Sequence, residues 1–418
     1  MLNVGTMVGT SLFVLPGTVA AALHAPGLVI GAWAGGGILV LLGALCLAEL
    51  AAAMPDAGGE VVYLERAFGR VWGYLYGWAN GVIINPCAIA AIAIAFATYL
   101  GVLVPLGRPG VKGWAILSIV ALTGLNMLGV RAGATAQNAI TALKVLGVAG
   151  LAALALLAPA GVPSPAGPAP GTVTLQGAVL AVVAIVWAYD GWYEVTFVGG
   201  EVRDPGRTLP RSIVWSMVVV ILLYAAANLG YLAALGVSGM AASARVGSDA
   251  ASAVLGPRGA SVAAAVVATC ALGGNNGIIL TAARIPYVMA REGMFFRPVG
   301  RLDPRHGTPV VSLAWQGTWA MALVLLGAYE QLVTAIVFSS FIFHGLAALA
   351  VLRLRHAAPA LPRPYRTWGY PATPVVFAAL CAVLVALTLT ASPRESLFGL
   401  GLLLAGLALY PAFRRAAP

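Results

Sequence analysis

The stretch Trp187-Ala188-Tyr189-Asp190-Gly191-Trp192-Tyr193-Glu194 decides how this chain is read. Residues 174–186 before it carry no charge and are mostly Val, Ala, Leu and Ile, and residues 195–198 after it are again largely apolar. Two carboxylates and a glycine thus sit where a membrane-spanning helix is expected. A charge at that depth is expensive and marks function by default. The stretch reads as a helix that breaks, with the break forming half of a solute site.

The surrounding chain sets that stretch in a bilayer. Of 418 residues, 61% are hydrophobic and 9% charged, with a mean hydropathy of +0.95. Soluble domains carry about 25% charged residues, which excludes an ordinary globular protein. Apolar runs of about 20 residues, enough to cross a bilayer, recur twelve times: 1–24, 27–54, 72–104, 113–130, 136–159, 173–200, 211–236, 259–290, 309–328, 331–352, 374–391 and 396–413. Runs this long and continuous mean helices rather than a barrel, because backbone groups in lipid must pair internally. The fold class expected is an all-α polytopic membrane protein of about twelve transmembrane helices.

The net charge of +10 is topogenic rather than a nucleic-acid footprint. With alternating sides, sixteen Lys and Arg fall in one set of loops and five in the other, Arg284 and Lys144 lying inside spans. The positive-inside rule then puts both termini in the cytoplasm. All four cysteines (Cys46, Cys87, Cys270, Cys381) lie in spans at no metal-ligand spacing, so no disulfide framework, metal or cofactor is expected. Residues 1–23 lack a basic n-region, so no signal peptide is expected. The chain opens inside its first span, and a short cytoplasmic leader is expected to be absent or not included.

Span one carries Gly5, Met7, Gly9, Thr10 and Ser11 in its middle. Gly5 and Gly9 fit a small-residue packing face. They also fit an unwound point, with a second half-helix starting near Thr10 whose free N–H groups would hold a carboxylate. Asn85-Pro86 predicts a kink in span three. Lys144, the one lysine in any span, reads either as an ammonium snorkelling to the interface or as a fixed or titrating cation. His344 in span ten reads as a packed core histidine. The proline-rich, charge-free run 159–170 reads as an outer connector.

Two stretches carry a family resemblance. Ala48-Glu49-Leu50 followed by Pro55-Asp56-Ala57-Gly58-Gly59-Glu60-Val61-Val62-Tyr63-Leu64 and Ala67-Phe68-Gly69 resembles amino acid permeases of the amino acid–polyamine–organocation superfamily, nearest the L-type amino acid transporter branch. The run Phe197–Ser212, with Glu201-Val202, Pro205, Arg207 and Pro210-Arg211-Ser212, resembles the signature after the family's sixth helix, and Ala290-Arg291-Glu292-Gly293 and Arg363-Pro364-Tyr365-Arg366 also match. The resemblance implies a five-plus-five inverted repeat with broken helices 1 and 6, plus two C-terminal helices. It divides the chain into a first repeat 1–158, a linker 159–172, a second repeat 173–353, and a cytoplasmic link with helices 11 and 12 over 354–418. It also implies that Gly9-Thr10-Ser11 matches a carboxylate-binding turn, although Ser11 replaces a glycine. Met7, Trp187, Ala188 and Asp190 fall where relatives surround the amino group. Trp187 is placed to close over substrate, with Trp192 supporting the break as a gating partner. Lys144 stands where sodium-coupled relatives bind sodium, and Ser340 where a side-chain pocket is expected. Animal members of the branch join a heavy subunit through a cysteine in the loop after helix three. Residues 105–113 hold none, so no disulfide-linked partner is expected.

Two interrupted spans heading two halves point to a midplane site between broken helices. N–H donors from one break and freed carbonyls at Met7 and at Trp187–Ala188 suit a zwitterion, so the expected function is secondary transport of an amino acid. The expected substrate is a neutral L-amino acid, moved by exchange or proton symport. A cationic amino acid or polyamine permease of the same fold is the alternative. An intramembrane aspartyl protease needs two close carboxylates, and no second span offers a Gly-x-Gly-Asp segment; a transporter-fold channel or sensor is the remaining rival.

Overall fold

The computed structural model describes residues 1–104, 107–157, 172–327 and 329–415. The expected connector 159–170 lies outside the described residues. The helices follow in the order α1 (Leu2–Met7), α2 (Ser11–Leu23), α3 (Pro26–Ala53), α4 (Glu60–Phe68), α5 (Arg70–Trp78), α6 (Asn85–Leu103), α7 (Arg108–Met127), α8 (Val130–Leu157) and α9 (Leu175–Ala188). They continue with α10 (Pro205–Ala242), α11 (Val246–Leu255), α12 (Gly259–Ala282), α13 (Arg284–Arg291), α14 (Val310–Leu326), α15 (Tyr329–Ala357), α16 (Ala372–Ala391) and α17 (Pro393–Arg415). No strand occurs among the described residues.

Nine helical stretches among the described residues are long and apolar enough to cross a membrane, and three shorter apolar helices accompany them: Ser11–Leu23, Leu175–Ala188 and Val310–Leu326. These coincide with the twelve runs read from the sequence. The first two of the three are short because spans one and six are interrupted.

Helix α8 shows how sequence sorts its faces. Gly133, Gln137, Thr141, Lys144, Val148, Ala152 and Ala155 are buried, a stripe at helical spacing, whereas Leu143, Leu146, Leu154 and Leu157 are exposed where lipid would lie. Lys144 therefore points into the bundle with no exposed surface, which rules out snorkelling. In span three, a wide π-helical stretch, Ala79–Ile84, precedes Asn85 and Pro86. Proline then falls at the first turn of α6, where its missing N–H costs little.

Two expected loops are partly helical. Much of the inner loop 199–212 belongs to α10, because left-handed Asp204 (φ 46°) ends the preceding segment and Pro205 preorganises the first turn. The outer loop 105–113 likewise becomes helix at Arg108, with Pro109 in its first turn. At the arginine-rich end, Glu49 of α3 accepts from Arg355 Nη2 at 2.6 Å, Arg355 Nε at 2.9 Å and the Thr367 amide at 2.7 Å. Arg284 pairs with Glu201 at 2.9 Å.

Candidate functional site

Span one unwinds between α1 and α2. Val8 leaves the helical well (φ −73°, ψ 86°), and α2 restarts at Ser11 with no side-chain cap on its first turn. Span six unwinds after Ala188: Gly191 takes φ +101°, and a 3₁₀ segment, Glu194–Glu201, follows. Each break leaves backbone groups without intrahelical partners, and α1 binds several of them. Asn3 Nδ2 donates to Trp192 O at 2.7 Å, and Asn3 Oδ1 accepts from the Val195 amide at 2.9 Å. Thr6 Oγ1 donates to Gly191 O at 3.0 Å. A Cβ on Gly191 would lie 3.1 Å from Thr6 Cβ and 3.3 Å from Met7 N, so glycine is required both by its φ and by the approach of α1.

Two polar side chains tie the first break further. Lys144 Nζ donates to Gly5 O and, at 2.8 Å, to Val8 O. Tyr224 of α10, fully buried, sets its hydroxyl 2.7 Å from Met7 O and 3.0 Å from Ala188 O. A phenol has one proton to donate. One of the two carbonyls is therefore always left with spare acceptor capacity, one on each side of the gap between breaks.

That gap opens into a cavity of about 210 Å³. Drug-sized ligands use pockets of about 300 Å³ or more, so the space suits a smaller solute. Of the residues singled out from sequence, Met7, Gly9, Thr10, Ser11, Trp187, Ala188 and Asp190 all line it. Lys144 does not; it lies behind the first break. Trp192 also lies off the wall, 3% exposed and packed edge-on against Tyr193 and Phe377. Ser340 is buried one helical turn beyond the lining residue Ile336, and its hydroxyl has no described partner.

Sequence reading passed over several wall residues. Asn85 lines the cavity beyond its place in a kink motif, Thr6 and Tyr193 line it too, and Glu194, one of the two carboxylates read at the break, joins them. Glu194 accepts from the Thr281 hydroxyl of α12. Among the described residues, the wall thus carries two carboxylates, Asp190 and Glu194, and no Lys or Arg. The Asn85-Pro86 pair and the spacing of Asp190 and Glu194, one helical turn apart, were the available signals.

A family model described as amino acid permease matches residues 1–399. The chain belongs to the amino acid permease family. The permease is 32% identical to the b(0,+)-type amino acid transporter 1 of Mus musculus over 98% of this chain and 85% of that protein. It is 27% identical to the serine/threonine exchanger SteT of Bacillus subtilis (strain 168), over 99% and 95% of the two chains. It is 28% identical to the large neutral amino acids transporter small subunit 2 of Mus musculus, over 97% and 78%. The permease is accordingly a multi-pass membrane transporter of amino acids.

Proposed function

We propose that this permease carries neutral L-amino acids across the cytoplasmic membrane by alternating access, as an exchanger or proton-coupled symporter, with both termini cytoplasmic. The observation that carries the reading is the cavity between the breaks at Val8–Thr10 and Tyr189–Tyr193. The uncapped start of α2 offers N–H groups and a positive dipole end to a carboxylate. The Met7 and Ala188 carbonyls, served by one Tyr224 hydroxyl, leave an acceptor for an ammonium. Backbone recognition of both charged groups favours any α-amino acid, and the mostly apolar remainder of the wall favours neutral side chains. Trp187 closes over the bound solute, Trp192 braces the break from behind, and Lys144 serves as the fixed or titrating cation against the first break. Ser340 reaches a substrate side chain only if α15 shifts. The halves 1–158 and 173–353 supply one break each. The protein acts as a carrier and not as an enzyme, and without a disulfide-linked heavy subunit.

A second reading is supported by the two wall carboxylates. Asp190 and Glu194 without a facing Lys or Arg would suit a cationic amino acid or a polyamine. Binding screens on the purified protein separate the two: leucine or serine binding more tightly than lysine, arginine or putrescine favours the neutral reading, and the reverse order favours the cationic one. Counterflow in liposomes tests the mechanism. Unlabelled amino acid inside should accelerate uptake of labelled amino acid, whereas a channel or sensor shows no such acceleration.

A further inference from the structure

Behind the cavity wall lies a cluster that meets the substrate cavity only through Asp190. His344 of α15 is 4% exposed. Its Nδ1 lies 3.2 Å from Glu60 Oε1, and its Nε2, which has no hydrogen-bond partner, lies 3.9 Å from Asp190 Oδ1. Asp190 lines the cavity. Glu60 is fully buried at the start of α4 and accepts the Tyr76 hydroxyl at 2.6 Å. One imidazole therefore joins a carboxylate of the cavity wall to a carboxylate deep in the bundle.

The two ring nitrogens decide what this arrangement holds. Neutral imidazole has one N–H, so in either tautomer the other nitrogen turns a lone pair toward a carboxylate oxygen. Imidazolium presents a donor to each carboxylate. The other ionisable groups around the cluster are Tyr193, whose ring lies 4.7 Å from the imidazole and whose hydroxyl donates to Asp190 at 3.4 Å, together with Glu194, Tyr76, and Tyr63 and Cys381 near Glu60. All are acidic or neutral. None of the described ion pairs brings a Lys or Arg to Glu60, Asp190 or Glu194. Buried carboxylates need a compensating positive charge, and His344 is the group placed to carry it.

We propose that His344, Glu60 and Asp190 form a proton-binding site in the wall of the substrate cavity, and that this site gives up its proton when the ammonium of an amino acid arrives beside Asp190. The linkage rests on the cavity being an amino acid site. The ammonium shares the Asp190 carboxylate that faces His344 Nε2 and adds a second positive charge beside the ring, which weakens its hold on the proton. Linkage is reciprocal, so the protonated site also weakens substrate binding. The proton leaves to solvent through the cavity as the amino acid enters, which makes it a counter-substrate and favours exchange over symport.

Calorimetry on the full-length carrier in detergent, with an amino acid taken from the binding screen, tests this in two buffers of different ionisation enthalpy. The wild type should release up to about one proton per amino acid bound, and its apparent Kd should fall by at most about tenfold per pH unit, the limit for one linked proton. His344→Gln keeps an amide donor for Glu60 but cannot titrate, and it should bind with little proton release and a flat pH profile. Glu60→Gln should also cut release, and it provides the answer if His344→Gln does not fold. Binding by the wild type without proton release, proton uptake instead of release, or undiminished release by both variants overturns the site. Absence of any binding heat for all twenty amino acids overturns the substrate reading, and the linkage falls with it.

Discussion

Tyr224 shows what one hydroxyl does at a helix break. Its ring packs against Trp33 (5.7 Å between centroids) and Tyr189 (4.9 Å), so Tyr224→Phe keeps the packing and removes only the donor shared by Met7 O and Ala188 O. Leaving a buried carbonyl unpaired costs about 1–3 kcal/mol. The variant should melt at lower temperature, read by thermal shift. Lys144→Ala strips a donor from Gly5 O and Val8 O, which tie α8 to the first break. Turnover in proteoliposomes should fall more than substrate affinity; an unchanged rate excludes Lys144 from the transport cycle. Lys144 stands out in the sequence because lysine is rare in a span. Tyr224 does not, because a tyrosine in an apolar run looks like any core residue until its partners are known.

The two interrupted spans are defined as elements by what crosses between them. Asn3 and Thr6 of α1 bond the backbone of the other break at Trp192, Val195 and Gly191. A side chain at residue 191 would force these elements apart. Gly191→Ala should destabilise the protein by about 1–3 kcal/mol, the cost of a strained φ compounded by the contact with Thr6, and should lower transport. Gly150→Ala is the control: a Cβ there meets nothing within 4 Å, and helix propensity favours alanine by about 1 kcal/mol. Thermal melts of the pair check both signs, and equal stability of the two variants would remove the tight approach as an explanation. The breaks were legible in Gly9-Thr10-Ser11 and in Asp190-Gly191 because poor helix formers and charges are local signals. The helical start at Pro205 was not, since Pro-Gly-Arg reads as a loop until Asp204 is seen to end the segment before it.

At the scale of the molecule, the expected orientation predicts accessibility. Arg203 and Arg245 are both exposed and belong to opposite sets of loops. With Cys270 of the cavity wall replaced by Ser, a membrane-impermeant maleimide should label Arg203→Cys only from the cytoplasmic side and Arg245→Cys only from outside; the reverse pattern inverts the topology. The number of spans, the two breaks and seven residues of the cavity wall, Met7, Gly9, Thr10, Ser11, Trp187, Ala188 and Asp190, were determined by sequence alone. Hydropathy over about 20 residues and the helix propensity of a few neighbours are sums over adjacent positions. Tertiary structure decided which groups meet in the gap. Tyr224 reaches Met7 across 217 positions and His344 reaches Glu60 across 284. Such pairs depend on how each helix is rotated and packed against its neighbours, which no local pattern specifies. The same stretch, Trp187–Glu194, shows the division: its charges announced a break, but only the fold placed Asp190 between the cavity and a buried histidine.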